Sequence, residues 1–170
     1  MILSNISLIG MPGSGKSTIV KKLARTLNFT WIDTDLLIES WFGTSLQEIK
    51  DKLGNENFLK AEEFIVLNLY VNKCVIATGG SVVYSKNAMK YLKKLGPVIY
   101  LRCSLEEIKH RIAKNPERGL VIEKGQDLAD LYRERTPLYQ NYSDFVVDTD
   151  KLNVNQCIEK IVNWIQYEKK

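Results

Sequence analysis

Short apolar runs alternate along the chain with longer stretches in which apolar residues recur at helical spacing. Ile6-Ser7-Leu8-Ile9, Phe29-Thr30-Trp31-Ile32, Cys74-Val75-Ile76-Ala77-Thr78, Pro97-Val98-Ile99-Tyr100-Leu101 and Phe145-Val146-Val147 read as strands. The segments 17–27, 36–42, 45–53, 55–71, 85–95, 104–114, 127–142 and 155–168 read as helices. Gly43, Gly54 and Gly96 stand where helices stop, Ser85 where one starts, and Ser104 with Glu107 has the spacing of a capping box. Pro137 is expected to interrupt the helix that contains it. The stretch 115–126 holds Pro116, Gly119 and Gly125 without helical period and reads as a loop. No internal repeat or linker divides the sequence. Strands alternating with helices predict a single α/β domain over residues 1–170, with a parallel sheet covered on both faces.

Composition narrows the chemistry. The chain has 170 residues, 45% apolar and 26% charged, a balance that makes a globular core without staples. His110 is the sole histidine, which excludes a His-rich zinc site or an HExxH helix and moves general-base work onto carboxylates. Cys74, Cys103 and Cys157 match no CxxC pattern and are expected as small core residues of a cytoplasmic protein. No apolar run reaches the roughly 20 residues of a membrane span, and residues 1–6 lack the features of a signal peptide. The net charge is +4, but the lysines come in scattered pairs that suit solvated helix faces. Neither a nucleic acid nor a membrane is expected as partner; an anionic small molecule is.

Gly10-Met11-Pro12-Gly13-Ser14-Gly15-Lys16-Ser17 fits G-x-x-x-x-G-K-[ST] between a strand and a helix, the pattern of a nucleoside-triphosphate-binding loop. Its glycines let backbone N–H groups turn toward phosphate oxygens, and the helix N-terminus adds partial positive charge. Lys16 would bridge the β- and γ-phosphates, and Ser17 would hold Mg²⁺. The third strand ends in Thr78-Gly79-Gly80 and so lacks the metal-binding aspartate usual in motors and GTPases, and Asn72-Lys73-Cys74-Val75 is no guanine motif. Asp33 and Asp35 end the second strand, and in a parallel sheet that strand end shares a rim with the loop. The plainer alternative makes Asp35 the N-cap of the helix that follows.

Taken together, Gly10 to Thr18, Asp33-Thr34-Asp35, Gly54 with Phe58 and Glu62, Gly79-Gly80, Arg118, Arg135-Thr136-Pro137-Leu138-Tyr139 and Asp148-Thr149 resemble the shikimate kinases over nearly the whole chain. The resemblance implies a P-loop kinase fold with three layers and a five-stranded parallel sheet in order 2-3-1-4-5. It also implies a helical substrate-binding region at about 33–62, and a lid at about 115–126. It implies ATP and Mg²⁺ as cofactors, with Gly13, Ser14, Gly15, Lys16, Ser17, Thr18, Arg111 and Arg118 on the nucleotide and Ser17 and Asp33 on the metal. Asp35 would bind the acceptor hydroxyl and take its proton. Glu62, Gly79, Gly80 and Arg135 would join it at the acceptor, and Lys16, Asp35 and Arg118 would be catalytic. Arg111 could instead be merely solvated, Glu62 or Glu63 a surface acid, and Arg133 could stand in for Arg135.

This chain departs from the family pattern around the acceptor. Phe58-Leu59 replaces the usual Phe-Arg, whose arginine clamps the shikimate carboxylate. Asn55 replaces a glutamate, Ser81 a third glycine, and Gly119 a proline. Lys60 follows Leu59, but one helical step turns it by about 100°. The expectation is a monomeric, cytoplasmic small-molecule kinase that phosphorylates a hydroxyl of shikimate. The alternatives are another small hydroxylated metabolite as acceptor, or a nucleotide-binding module with little kinase activity.

Overall fold

A computed structural model describes residues 5–114 and 127–167. Its strands are β1 (Asn5–Ile9), β2 (Thr30–Asp33), β3 (Cys74–Ala77), β4 (Val98–Arg102) and β5 (Phe145–Asp148). Its helices are α1 (Lys16–Leu27), α2 (Thr34–Phe42), α3 (Leu46–Leu67), α4 (Lys86–Leu95), α5 (Leu105–Ala113), α6 (Leu128–Tyr142) and α7 (Val154–Tyr167), and a short 3₁₀ turn spans Val82–Tyr84. The five strands form one sheet in the order β2-β3-β1-β4-β5, every pair parallel, as expected.

Strand side chains alternate between faces, so each central strand supplies two cores. Leu8, Val75, Ala77, Ile99 and Leu101 pack with α1 and α7 on one face. Ile9, Cys74, Ile76, Val98 and Tyr100 pack with α4, α5 and α6 on the other. A third cluster of Ile38, Ile49, Phe58 and Ile65 joins α2 to both arms of α3, which bends at Gly54 where φ is +70°. The cysteines are free and buried, in keeping with small core residues. Among the described residues no helix is long and apolar enough to cross a membrane.

Three local expectations change. Pro137 lies inside a continuous α6, so the helix absorbs the missing N–H without breaking. At α5, Ser104 Oγ accepts from the Glu107 N–H, but the Ser104 N–H donates to the Asp150 carboxylate, while Glu107 is drawn to Arg111 instead. The full capping box is at Asp127 and Asp130, where the sequence shows Asp in place of the usual Glu. Helix α3 also stops at Leu67, short of Val71. The stretch 115–126 lies outside the described residues.

Asn5, only 2% exposed, ties the amino ends of the sheet together. Its amide donates to the Val71 and Leu95 carbonyls at 3.1 and 3.3 Å, and its oxygen accepts from the Cys74 N–H at 3.1 Å. Substitution by leucine leaves these buried backbone groups without partners. Asn5→Leu should lower unfolding stability by about 2–4 kcal/mol in urea titration, with Mg-ATP affinity retained.

Candidate active site

The carboxyl ends of all five strands meet on one rim, and the Gly10–Ser17 loop leaves β1 there. Gly13 and Gly15 take φ of +82° and +99°, a region in which a side chain would be strained. No side chain caps the N-terminus of α1, so its first turn opens onto a cleft of about 780 Å³. Gly13, Ser14, Gly15, Lys16, Ser17 and Thr18 all line that cleft. Lys16 Nζ donates to the Gly10 and Met11 carbonyls at 2.7 and 2.9 Å, which pins its ammonium group to the loop. Ser14 Oγ is buried with no hydrogen-bond partner among the described residues, a polar atom suited to a phosphate oxygen.

Asp33 joins the loop to β2. One carboxylate oxygen accepts from Ser17 Oγ at 2.8 Å, and the other accepts from the Asp35 N–H at 3.1 Å and caps α2. Asp33 is therefore the N-cap, which leaves Asp35 inside the first turn with its carboxyl available. Ser17 and Asp33 offer hard oxygen donors that fit Mg²⁺, an ion that usually takes one or two protein ligands and fills its shell with phosphate and water. The described residues hold no cluster of three His, Cys, Asp or Glu side chains, so a closed protein cage is not built here.

Further along the rim, the chain after β3 passes close against two acids. A Cβ added to Gly79 would collide with Glu62 Oε1 and lie 2.7 Å from Asp35 Oδ1. The Gly79 N–H donates to Thr34 Oγ1 at 3.1 Å. A Cβ at Gly80 would stand 2.9 Å from Pro12 and 3.2 Å from the Arg135 guanidinium. Glu62 is 4% exposed and accepts from Ser81 Oγ, whereas Glu63 turns outward to Ser85 and Asn87, so the buried acid is Glu62. Arg135 is also buried and donates to Tyr84 Oη at 3.1 Å, while Arg133 pairs with Asp130 in solvent. Tyr139, one helical turn past Arg135, donates to the Gly80 carbonyl at 2.6 Å.

Burial raises the pKa values of both carboxyls at this rim. Burial, then the negative charge of Asp33, pushes Asp35 up to about 6, against the pull of Lys16. Burial pushes Glu62 up to about 7; the Ser81 hydrogen bond and the charges of Arg135 and Lys50 oppose this, and Asp35 adds to it. An acid that ionises near neutrality is suited to accept a proton from a hydroxyl.

Arg111 is half-buried. Its guanidinium donates to Glu107, to the Gly13 carbonyl at 3.3 Å and to the Thr149 carbonyl at 2.8 Å, so it links the loop to the segment after β5 rather than lying in solvent. Arg118 lies outside the described residues. Sequence reading passed over Thr34, Tyr84 and Lys50 at this site. Thr34 sits between the two aspartates and Tyr84 follows the diglycine, but nothing in their spacing marks them as contacts. Lys50 looks like any helix-face lysine. Tyr139 could have been found from its i,i+4 spacing to Arg135.

Glu62 leaves a mark on stability. Its pKa is higher folded than its ordinary value of 4.5, so the ligand-free protein holds the full contribution of Glu62 to stability below that value. It should lose on the order of 3 kcal/mol as pH rises through about 7. Thermal melts between pH 4 and 8 should show that decline, and Glu62→Gln should flatten it. Gly79→Ala, by contrast, should cut turnover at least about tenfold at every pH, because the backbone must move away from both acids.

The family model for shikimate kinase matches residues 12–166 of this chain. A shikimate kinase of Histophilus somni is 40% identical over 167 residues, covering 94% of this chain and 95% of that protein. A shikimate kinase of Caldanaerobacter subterraneus subsp. tengcongensis is 36% identical over 163 residues, covering 94% and 95%. The solved structure of the Acinetobacter baumannii shikimate kinase in complex with shikimate superposes with a TM-score of 0.90 at 30% identity, covering 99% of this chain and 96% of that one. The sheet order, the loop at its rim and these matches agree: the chain belongs to the shikimate kinase family.

Proposed function

We propose that the protein transfers the γ-phosphoryl group of ATP to a hydroxyl of shikimate, with Asp35 as the base. The observation that carries this reading is the position of Asp35. It lies beside the phosphate loop, is free of the capping role that Asp33 fills, and has its pKa pushed to about 6. Bound Mg-ATP supplies the phosphoryl group and the charge that polarises it.

Asp35 orients the acceptor hydroxyl and takes its proton as the oxygen bonds to phosphorus and ADP leaves. Lys16 and the loop N–H groups hold the phosphates, and Ser17 and Asp33 hold the metal. Glu62, Gly79, Gly80 and Arg135 form the acceptor side, within a helical region at 33–62. Arg135 meets the substrate carboxylate, and Arg111 braces the loop at the nucleotide end. Arg118, from the 115–126 segment, completes the charge on the transferring group.

ADP release from Mg-ATP should be stimulated by shikimate, and by shikimate more than by other hydroxy-acids or polyols. Asp35→Asn should reduce kcat by at least about 100-fold, the size expected for a lost general base, with the KM for ATP little changed. No stimulation at millimolar shikimate would refute this reading.

A further inference from the structure

Directly after Gly79 and Gly80 the chain enters the 3₁₀ turn Val82–Tyr84. Val82 and Val83 are each 2% exposed and belong to the core on one face of the sheet, which pins the turn. Ser81 precedes it with near-helical φ and ψ of −90° and −6°, and its carbonyl accepts from the Tyr84 N–H at 3.0 Å. Side chains three residues apart eclipse one another in this geometry, so Ser81 and Tyr84 share one face of the turn. That face meets two charged groups of the acceptor side. Ser81 Oγ donates to Glu62, and Tyr84 Oη accepts from Arg135 Nε at 3.1 Å. Arg135 Cζ also lies 5.2 Å from the centre of the Tyr84 ring, within reach of a cation–π attraction.

These contacts decide how Arg135 can be used. A guanidinium carries its five N–H groups in a rigid fork, and a carboxylate can take either its Nε side or its outer Nη end. Tyr84 occupies Nε, and Nη1 lies against Gly80, where an added Cβ would stand 3.2 Å away. The Nη end is therefore the edge turned toward the diglycine. Leu59 is apolar and Lys60 pairs with Glu56 in solvent, so neither adds a charge to that of Arg135. We propose that Tyr84 is a positioning residue of the acceptor site, setting the Arg135 guanidinium so that its outer fork takes the acceptor carboxylate. The inference rests on the reading of shikimate as acceptor, and it gives Tyr84 a share in recognising that molecule without touching it.

Kinetics with shikimate, and with its uncharged methyl ester as competing ligand, test it in the intact protein and in Tyr84→Phe and Tyr84→Leu. Phenylalanine keeps the ring and removes only the oxygen. Tyr84→Phe should raise the KM for shikimate about 10-fold, the lower end of what a hydrogen bond to a charged group is worth. The kcat should stay within about threefold, and the KM for ATP and the inhibition constant of the ester within about twofold. Tyr84→Leu, which also removes the ring, should raise the KM for shikimate further. A KM for shikimate near wild type in Tyr84→Phe, whether or not urea titration shows lost stability, overturns the inference and leaves the kinase reading standing. A loss equal for acid and ester does the same. A wild-type protein whose ADP release shikimate does not stimulate overturns both.

Discussion

Everything at this site depends on the parallel sheet bringing its strand ends to one rim. With β1 between β3 and β4, the phosphate loop leaves the centre of the sheet. Asp33 pairs in register with Ala77, and Ala77 with Leu8, so the ends of β2, β3 and β1 advance together. Residues far apart in sequence are placed side by side without any long-range search for a partner. The hydrogen bond from Ser17 to Asp33 spans that rim, and the carboxyls of Asp35 and Glu62 crowd the same side of Gly79. A β2 shifted by one residue would turn Asp33 to the opposite face and break that bond.

The rim concentrates like charge and then restrains it. Asp35 feels the charge of Asp33, and Glu62 that of Asp35, with Lys16, Arg135 and Lys50 acting against them. Lys16 is itself fixed by two loop carbonyls, and Arg135 by Tyr84. Fixed donors and acceptors need little rearrangement when charge moves, which is what transfer of a phosphoryl group requires. Asp35 and Glu62 remain poised near neutrality because burial opposes their ionisation while nearby cations favour it.

Most of the fold was legible because it rests on local pattern. Short apolar runs marked the strands, glycines marked the helix ends at Gly43 and Gly96, and the phosphate loop announced itself by spacing. Where reading failed, the competing partner came from a distant segment. Asp150 took the Ser104 N–H from Glu107, and α6 ran through Pro137 within a packed face. The site shows the same division. Asp33, Asp35 and Lys16 follow from motif and topology. Which of Glu62 and Glu63 turns inward, and that Ser81 meets the buried acid, depends on how α3 bends at Gly54. No periodicity encodes that angle.

The seam between α2 and α3 has a further consequence. Trp41, 70% exposed, meets Phe64 edge-on with ring centroids 6.1 Å apart, and Phe64 lies two residues beyond Glu62. Of the three tryptophans, Trp31 lies under Lys21 and Trp164 is stacked on Phe145. Of these, Trp41 sits across the joint between α2 and α3. Indole emission responds to the polarity and contacts around the ring, so the protein carries its own optical gauge at that joint. Opening or tightening of these helices can be followed in unlabelled protein, with ligands that absorb no light of their own.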